Sequence, residues 1–412
     1  MRVTVIVIDS FGIGALPDAE KFGDEGANTA LHICEQIPGP KWPALRKMGL
    51  GNCAKLLGFN LSGCEAVENP SADYGVMAER SPGKDTTTGH WEIAGIVLDK
   101  PFRIFPQDYP SFPEELVIAF EQKTGCKMLG NKAASGTVII EELGNEHIET
   151  GYPICYTSAD SVFQIAAHEG VIPVDELYRI CEAARKLCDR YNVARVIARP
   201  FVGKPGGFKR TGARKDFSIA LPEKCLMDHL SASGIKTIGV GKIGSLFNEQ
   251  GLTESYHDSG NPACLERTIS LMSSPSSEPE FLFVNLVDTD MLYGHRRDVG
   301  GYFQAVNEID TALSEMIGLV KKGDLLVITA DHGCDPAYRG TDHTREYVPL
   351  LVYRGGRCME SGGEATDVKK GSDPESTGAM RNLGIRESFA DVAQSICSWF
   401  SLSPIKEGVS FL

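Results

Sequence analysis

Six residues of metal-binding type stand where short apolar runs end. Asp9 closes Val3–Ile8, and Asp290 and His295 follow Phe281–Val287. Asp331 and His332 close the run that begins at Asp324, and His343 follows eleven residues later in Gly340-Thr341-Asp342-His343-Thr344. A single strand-end Asp is ordinarily a turn or helix cap, and a single His is ordinarily structural. The joint pattern is different, because three of only 9 histidines fall in this small set beside strand-end acids. Carboxylate oxygens and imidazole nitrogens suit a divalent first-row metal. Six such groups are enough for two metals with three protein ligands each, with positions left open for substrate.

Such a site needs a nucleophile. Gly83-Lys84-Asp85-Thr86-Thr87-Thr88-Gly89-His90-Trp91-Glu92 follows a proline–glycine turn and begins a predicted helix. A hydroxyl at a helix N-terminus beside metals can be activated and can carry a phosphate against the helix dipole. Thr86, Thr87 and Thr88 also read as helix caps, and residue type alone does not choose among them.

These groups need a scaffold that brings strand ends together. Val3–Ile8 is β-branched and apolar throughout, as suits a central parallel strand buried on both faces. Similar runs recur at 281–288 and 324–331, and Val348–Tyr353 is a further strand whose Pro349 favours an edge or a start. Between them, Val306, Ile309, Leu313, Ile317 and Val320 keep helical spacing over 302–321, with Lys321 and Lys322 at the end that favours cations. The expected class is α/β with a doubly wound core sheet, in which ligands bind beyond the carboxyl ends of the strands.

The middle of the chain changes character. Helices are expected at Pro113–Thr124 and Val174–Tyr191, and strand-like runs at Tyr156–Val162 and Val193–Pro200. Proline and glycine mark the borders at Pro101–Pro113 and Gly203–Gly212. The sheet pattern resumes at Thr237–Gly241. The expected division is core 1–100, an inserted α+β domain 101–221, and core 222–412. The polar stretch Gly355–Gly384 holds seven glycines and reads as a long surface loop, and a final helix is expected at Ser388–Phe400. No internal repeat is visible.

The 412 residues are 42% hydrophobic and 23% charged, which excludes a disordered chain, a collagen or a coiled-coil rod. No apolar run is long enough to span a bilayer, and the start lacks a signal-peptide pattern, so the expectation is cytoplasmic with no membrane partner. A net charge of -14, with no basic run, argues against nucleic acid. The 12 cysteines form neither C-x-x-C nor zinc-finger spacings and read as buried free thiols in a reducing compartment.

Several motifs together resemble the prokaryotic phosphopentomutases of the alkaline phosphatase superfamily. They are Ile8–Gly14, Gly83–Glu92, Asp290–Arg297, Ala330–Gly333 and Gly340–Pro349, with Tyr156–Ser161, Ile165–Glu169 and Arg195–Gly203 in the middle. The resemblance spans nearly the whole chain. It departs at the glycine-rich loop and at Cys334, where an Asn is commoner. It implies an alkaline-phosphatase-like core with an inserted cap. It also implies one metal on Asp9, Asp331 and His332, a second on Asp290, His295 and His343, and a phosphothreonine at Thr86. Two manganese ions are implied, although zinc accepts the same ligands.

The implied reaction interconverts ribose 1-phosphate and ribose 5-phosphate, and the 2-deoxyribose pair, through a sugar 1,5-bisphosphate. A sugar bisphosphate such as glucose 1,6-bisphosphate is the implied activator, and the chain is expected to act as a monomer on pentose phosphates. Candidates to hold the phosphate not in transfer are Arg195, Arg210 and Lys242. Asp160, with Ser158 in the same motif, is the candidate for the sugar hydroxyls. A cap that excludes water suits a mutase better than a phosphatase. A metal-dependent phosphatase or another phosphosugar mutase would share all six ligands, and a non-catalytic metal-binding protein is a third reading.

Overall fold

Val3 and Val5–Ile8 have no exposed surface, as expected of a strand covered on both faces. In the computed structural model, which describes residues 1–158, 160–356 and 380–412, they lie in β1 (Arg2–Ile8). After β2 (Asp73–Met77) comes an inserted segment with β3 (Leu129–Ala133), β4 (Ile154–Thr157), β5 (Val162–His168), β6 (Arg195–Val202), β7 (Lys209–Arg210) and β8 (Lys215–Ser218). The remaining strands are β9 (Lys236–Val240), β10 (Glu254–Tyr256), β11 (Glu280–Leu286), β12 (Leu325–Thr329), β13 (Val348–Arg354) and β14 (Asn382–Arg386). The chain divides into two compact units, Met1–Asp99 with Pro222–Leu412, and Lys100–Leu221.

The first unit holds an eight-stranded sheet in the order β10-β9-β11-β1-β12-β13-β2-β14. β1 lies between β11 and β12 and runs parallel to both, with Ile8 opposite Leu286 and Val7 opposite Thr329. That register decides where the chemistry goes, because the residues after 8, 286 and 329 leave the sheet along one edge. The sheet is mixed, since β13 is antiparallel to both its neighbours. Pro349 therefore sits in an interior strand rather than at an edge. It is tolerated near the strand start because the β12–β13 ladder begins only at Leu351.

The second unit has its own sheet, β3-β4-β5-β6-β7, with β8 also paired to β6. Phe112, Phe163, Ile165, Val196 and Ala198 pack with the helices Glu114–Thr124 and Val174–Cys188 in one core cluster. Ile154, Tyr156, Ala166 and Phe201 pack with helix Gly136–Thr150 in another. The expected strand at Tyr156–Val162 is instead the end of β4 and the start of β5, and the two strands pair antiparallel.

The expected loop Gly355–Gly384 lies mostly outside the described residues, and its last part belongs to β14, which pairs with β2. Among the described residues, no helix is long and apolar enough to cross a membrane.

Candidate metal centre

The parallel register brings the expected ligands together as two triads. Asp9, Asp331 and His332 place one ligand atom each within 4.8 Å of one another, and so do Asp290, His295 and His343. In the first triad His332 Nε2 lies 3.5 Å from Asp9 Oδ1 and 3.4 Å from Asp331 Oδ2. In the second, Asp290 Oδ1 lies 3.3 Å from His343 Nε2, and its Oδ2 lies 3.5 Å from His295 Nε2. Metal bonds of about 2.0–2.2 Å around a four-coordinate ion hold neighbouring ligand atoms about 3.3–3.6 Å apart. The triads thus have the spacing of ligand shells.

Hydrogen bonds prepare these atoms. His332 Nδ1 lies 3.0 Å from the Gly333 carbonyl and His295 Nδ1 lies 2.7 Å from the Thr341 carbonyl. Each Nδ1–H donates there, which leaves Nε2 free to ligate. Ser10 adopts a left-handed backbone at φ 67°, which turns its N–H to donate to Asp331 Oδ1 at 3.0 Å.

The chemistry of these residues fits a bound divalent cation. Asp9 Oδ1 and Asp290 Oδ1 are buried and accept no hydrogen bond. Burial first, then the neighbouring carboxylates of Asp331 and Asp290, push the Asp9 carboxyl up to about 7. Buried like charges at this spacing are costly unless a metal neutralises them. The donors are oxygen and nitrogen throughout.

Local geometry also separates the three threonines. Asp85 caps the helix Thr86–Ile93, its Oδ1 accepting from the N–H groups of Thr87 and Thr88 at 3.1 Å and its Oδ2 from the Thr88 hydroxyl. Thr87 and Thr88 are buried. Thr86 is half-buried at the first helical position, with Oγ1 3.2 Å from His332 Nε2. The helix approaches this closely because residue 89 is glycine, where a Cβ would overlap the Asp331 carbonyl.

The expected substrate residues divide between the units. Lys242 follows β9 in the first unit, near enough to favour the charged form of Asp9. In the second unit, Ser158 and Asp160 lie between β4 and β5. Arg195 sits 3.9 Å from Asp160 Oδ2 and 3.6 Å from Asp216 Oδ2. Arg210 donates to the Tyr156 hydroxyl at 3.4 Å.

A family model described as the metalloenzyme superfamily matches residues 1–404. The chain is 50% identical to a phosphopentomutase of Caldanaerobacter subterraneus, covering 100% of this chain and 97% of the relative. It is 50% identical to a phosphopentomutase of Acetivibrio thermocellus, covering 100% and 98%, and 49% identical to one of Thermotoga petrophila with the same coverage. The chain belongs to the phosphopentomutase family.

Within this phosphopentomutase fold, four supporting residues were not assigned from sequence. His90 Nδ1 lies 2.9 Å from the Thr86 carbonyl and 3.0 Å from Asp331 Oδ2. Asn285 donates to Asp9 Oδ2 at 2.9 Å and lies 3.2 Å from His90 Nε2. Glu346 accepts from the Thr29 N–H at 2.9 Å and the Thr344 hydroxyl at 2.6 Å, tying the start of helix Thr29–Gln36 to the segment that follows His343. Glu92, on the Thr86 helix, accepts from Arg80, Ser81, Ser388 and Phe389. His90 and Glu92 lie in the threonine motif and Asn285 lies in a strand run, so the signal was their position beside the named residues.

Proposed function

We propose that the chain is a phosphopentomutase that interconverts ribose 1-phosphate and ribose 5-phosphate, and the 2-deoxyribose pair, with Thr86 as the phosphoryl carrier. The observation that carries this reading is the Thr86 hydroxyl, 3.2 Å from Nε2 of His332, while the Thr88 hydroxyl is held by Asp85 and Thr87 is buried. Two divalent ions on the triads supply charge neutralisation and alignment for phosphoryl transfer. Manganese is the proposed ion on the strength of the phosphopentomutase resemblance; carboxylate and imidazole donors accept it, as they accept zinc.

Phospho-Thr86 gives its phosphoryl group to the free hydroxyl of the pentose phosphate. The bond from phosphorus to Thr86 oxygen breaks as the bond to the sugar oxygen forms. The resulting 1,5-bisphosphate turns around, and its other phosphate returns to Thr86. Arg195, Arg210 and Lys242 hold the phosphate not in transfer, since guanidinium and ammonium groups match a phosphate dianion. Ser158 and Asp160 bind sugar hydroxyls.

The unit Lys100–Leu221 serves as a cap that limits water, because a phosphothreonine open to solvent would hydrolyse. A sugar bisphosphate such as glucose 1,6-bisphosphate restores phospho-Thr86 after an intermediate escapes. We place the reaction in the cytoplasm, carried out by a monomer. The eleven cysteines described are all unpaired thiols, in keeping with a reducing compartment.

A coupled assay tests the reading. Metal-depleted enzyme given manganese, ribose 1-phosphate and glucose 1,6-bisphosphate should form ribose 5-phosphate without free phosphate. Stoichiometric release of free phosphate would instead identify a phosphatase.

A further inference from the structure

One face of the sheet in the second unit carries a row of polar side chains. Tyr156 on β4 faces Gln164 on β5, which faces Ile197 on β6, which faces Asp216 on β8. Residues two apart on a strand share a face, so Arg195 and Arg199 of β6 flank Ile197 on that same side. Phe201, two further along, faces Arg210 of β7. Arg214 precedes β8.

The charges in this row do not cancel. Arg214 is spent on Asp216 by two parallel bonds of 2.7 Å. Arg195 lies between Asp216 and Asp160, at 3.6 and 3.9 Å. Arg199 and Arg210 have no carboxylate partner among the described residues. Arg199 donates its Nε–H to the neutral oxygen of Gln164 at 3.0 Å, and Arg210 donates to the Tyr156 hydroxyl at 3.4 Å. Gln164 therefore orients the Arg199 fork without neutralising it.

Four guanidinium groups face two carboxylates, an excess of two positive charges. Burial first, and then the like charges of Arg214 and Arg210, bring the Arg199 pKa down to about 10. Gly136 adds room at the same place, since a Cβ there would overlap Arg210 Nη2 and the Tyr156 hydroxyl. A phosphate monoester carries about two negative charges near neutral pH, which matches the excess.

We propose that Arg199 and Arg210, with the Tyr156 hydroxyl between them, form a phosphate-monoester site, and that Arg199 is a direct ligand of the phosphate that is not in transfer. The proposal rests on the mutase reading for which phosphate is held, and it adds a ligand that sequence reasoning did not name. Arg199 supplies its two Nη groups, Arg210 a second fork, and Tyr156 a hydroxyl donor. Arg195, already shared between two carboxylates, takes the secondary part.

The test uses the full-length, manganese-loaded enzyme with Arg199→Gln and Arg199→Lys. Calorimetry measures the Kd for glucose 1,6-bisphosphate and for manganese, and steady-state assays give KM and kcat. Arg199→Gln should weaken bisphosphate binding by about ten- to a hundredfold, with KM rising in step and manganese affinity unchanged. Arg199→Lys should still lose about tenfold, because one ammonium replaces a two-pronged fork.

Parent-like bisphosphate affinity in either variant overturns the assignment. If Arg199→Gln does not fold, Arg199→Lys decides alone. Failure of the mutase reading looks different, because the unaltered enzyme would then form no ribose 5-phosphate although its bisphosphate binding still depended on Arg199.

Discussion

His90 Nδ1 lies 3.0 Å from Oδ2 of Asp331 and 2.9 Å from the carbonyl oxygen of Thr86. A single imidazole thus touches a triad carboxylate and the backbone of the proposed phosphoryl carrier. Asn285 meets its other nitrogen at 3.2 Å and donates to Asp9 at 2.9 Å. The ring orients Asp331 and fixes the start of the Thr86 helix together.

Replacing His90 with Phe should keep the ring volume and remove both contacts. Manganese affinity at the triad of Asp9, Asp331 and His332 should fall by about ten- to a hundredfold, the usual cost of losing a partner that orients a ligand. Calorimetry on metal-depleted protein checks this. Unchanged affinity would reduce His90 to a packing residue.

Glu92 is fully buried and accepts five hydrogen bonds at 2.5–3.0 Å, from the Arg80, Ser81 and Phe389 N–H groups and the Ser81 and Ser388 hydroxyls. It fastens the end of the Thr86 helix to the segment before the last helix. Glu92→Ala should lower unfolding free energy by at least about 3 kcal/mol, because several buried donors lose their acceptor at once. Denaturant titration measures it, and a loss below about 1 kcal/mol would contradict this role.

The sequence made the core strands and the six triad residues legible for one physical reason. Strands buried on both faces are continuous apolar runs, and ligands of such sheets sit where the runs stop. What it hid depends on long-range contacts. Asp73–Met77 is too short and polar to advertise an interior strand, yet β13 and β14 pair with it. Tyr156–Val162 reads as one run because Val162 and Phe163 continue the apolar pattern, whereas β4 ends at Thr157 and β5 begins at Val162. Residue type alone does not tell Thr86 from Thr88; the family resemblance points to Thr86, and in the structure the Asp85 side chain engages the Thr88 hydroxyl instead. Arg199 reads as an ordinary strand residue until the register sets it beside Gln164 rather than an acid.

Glu346 gives a pH signature. Burial, and then the like charge of Asp335, push its carboxyl from 4.5 up to about 7, against hydrogen bonds from Thr29 and Thr344. The folded state therefore keeps this proton in a window where the unfolded chain has lost it. Its contribution favours folding at low pH and declines as pH rises from about 4.5 to about 7. Glu346→Gln should flatten that part of the profile. Unfolding midpoints of both proteins at pH 5 and pH 7.5 test it, and parallel profiles would contradict it.

The segment Lys100–Leu221 carries two apolar clusters of its own and none of the six triad residues. Expressed alone, it should unfold cooperatively and bind no manganese in calorimetry. Tight manganese binding to this fragment would show that the ligand assignment is incomplete.

The most direct measurement is peptide mass spectrometry of the enzyme during turnover of ribose 1-phosphate with glucose 1,6-bisphosphate, run beside Thr86→Ala. Phosphate should appear on Thr86 and on neither Thr87 nor Thr88. Thr86→Ala should stay folded, since a partly exposed helix-start threonine contributes little beyond about 1 kcal/mol, and should form no ribose 5-phosphate. Phosphate on another residue, or mutase turnover by Thr86→Ala, would contradict Thr86 as the carrier.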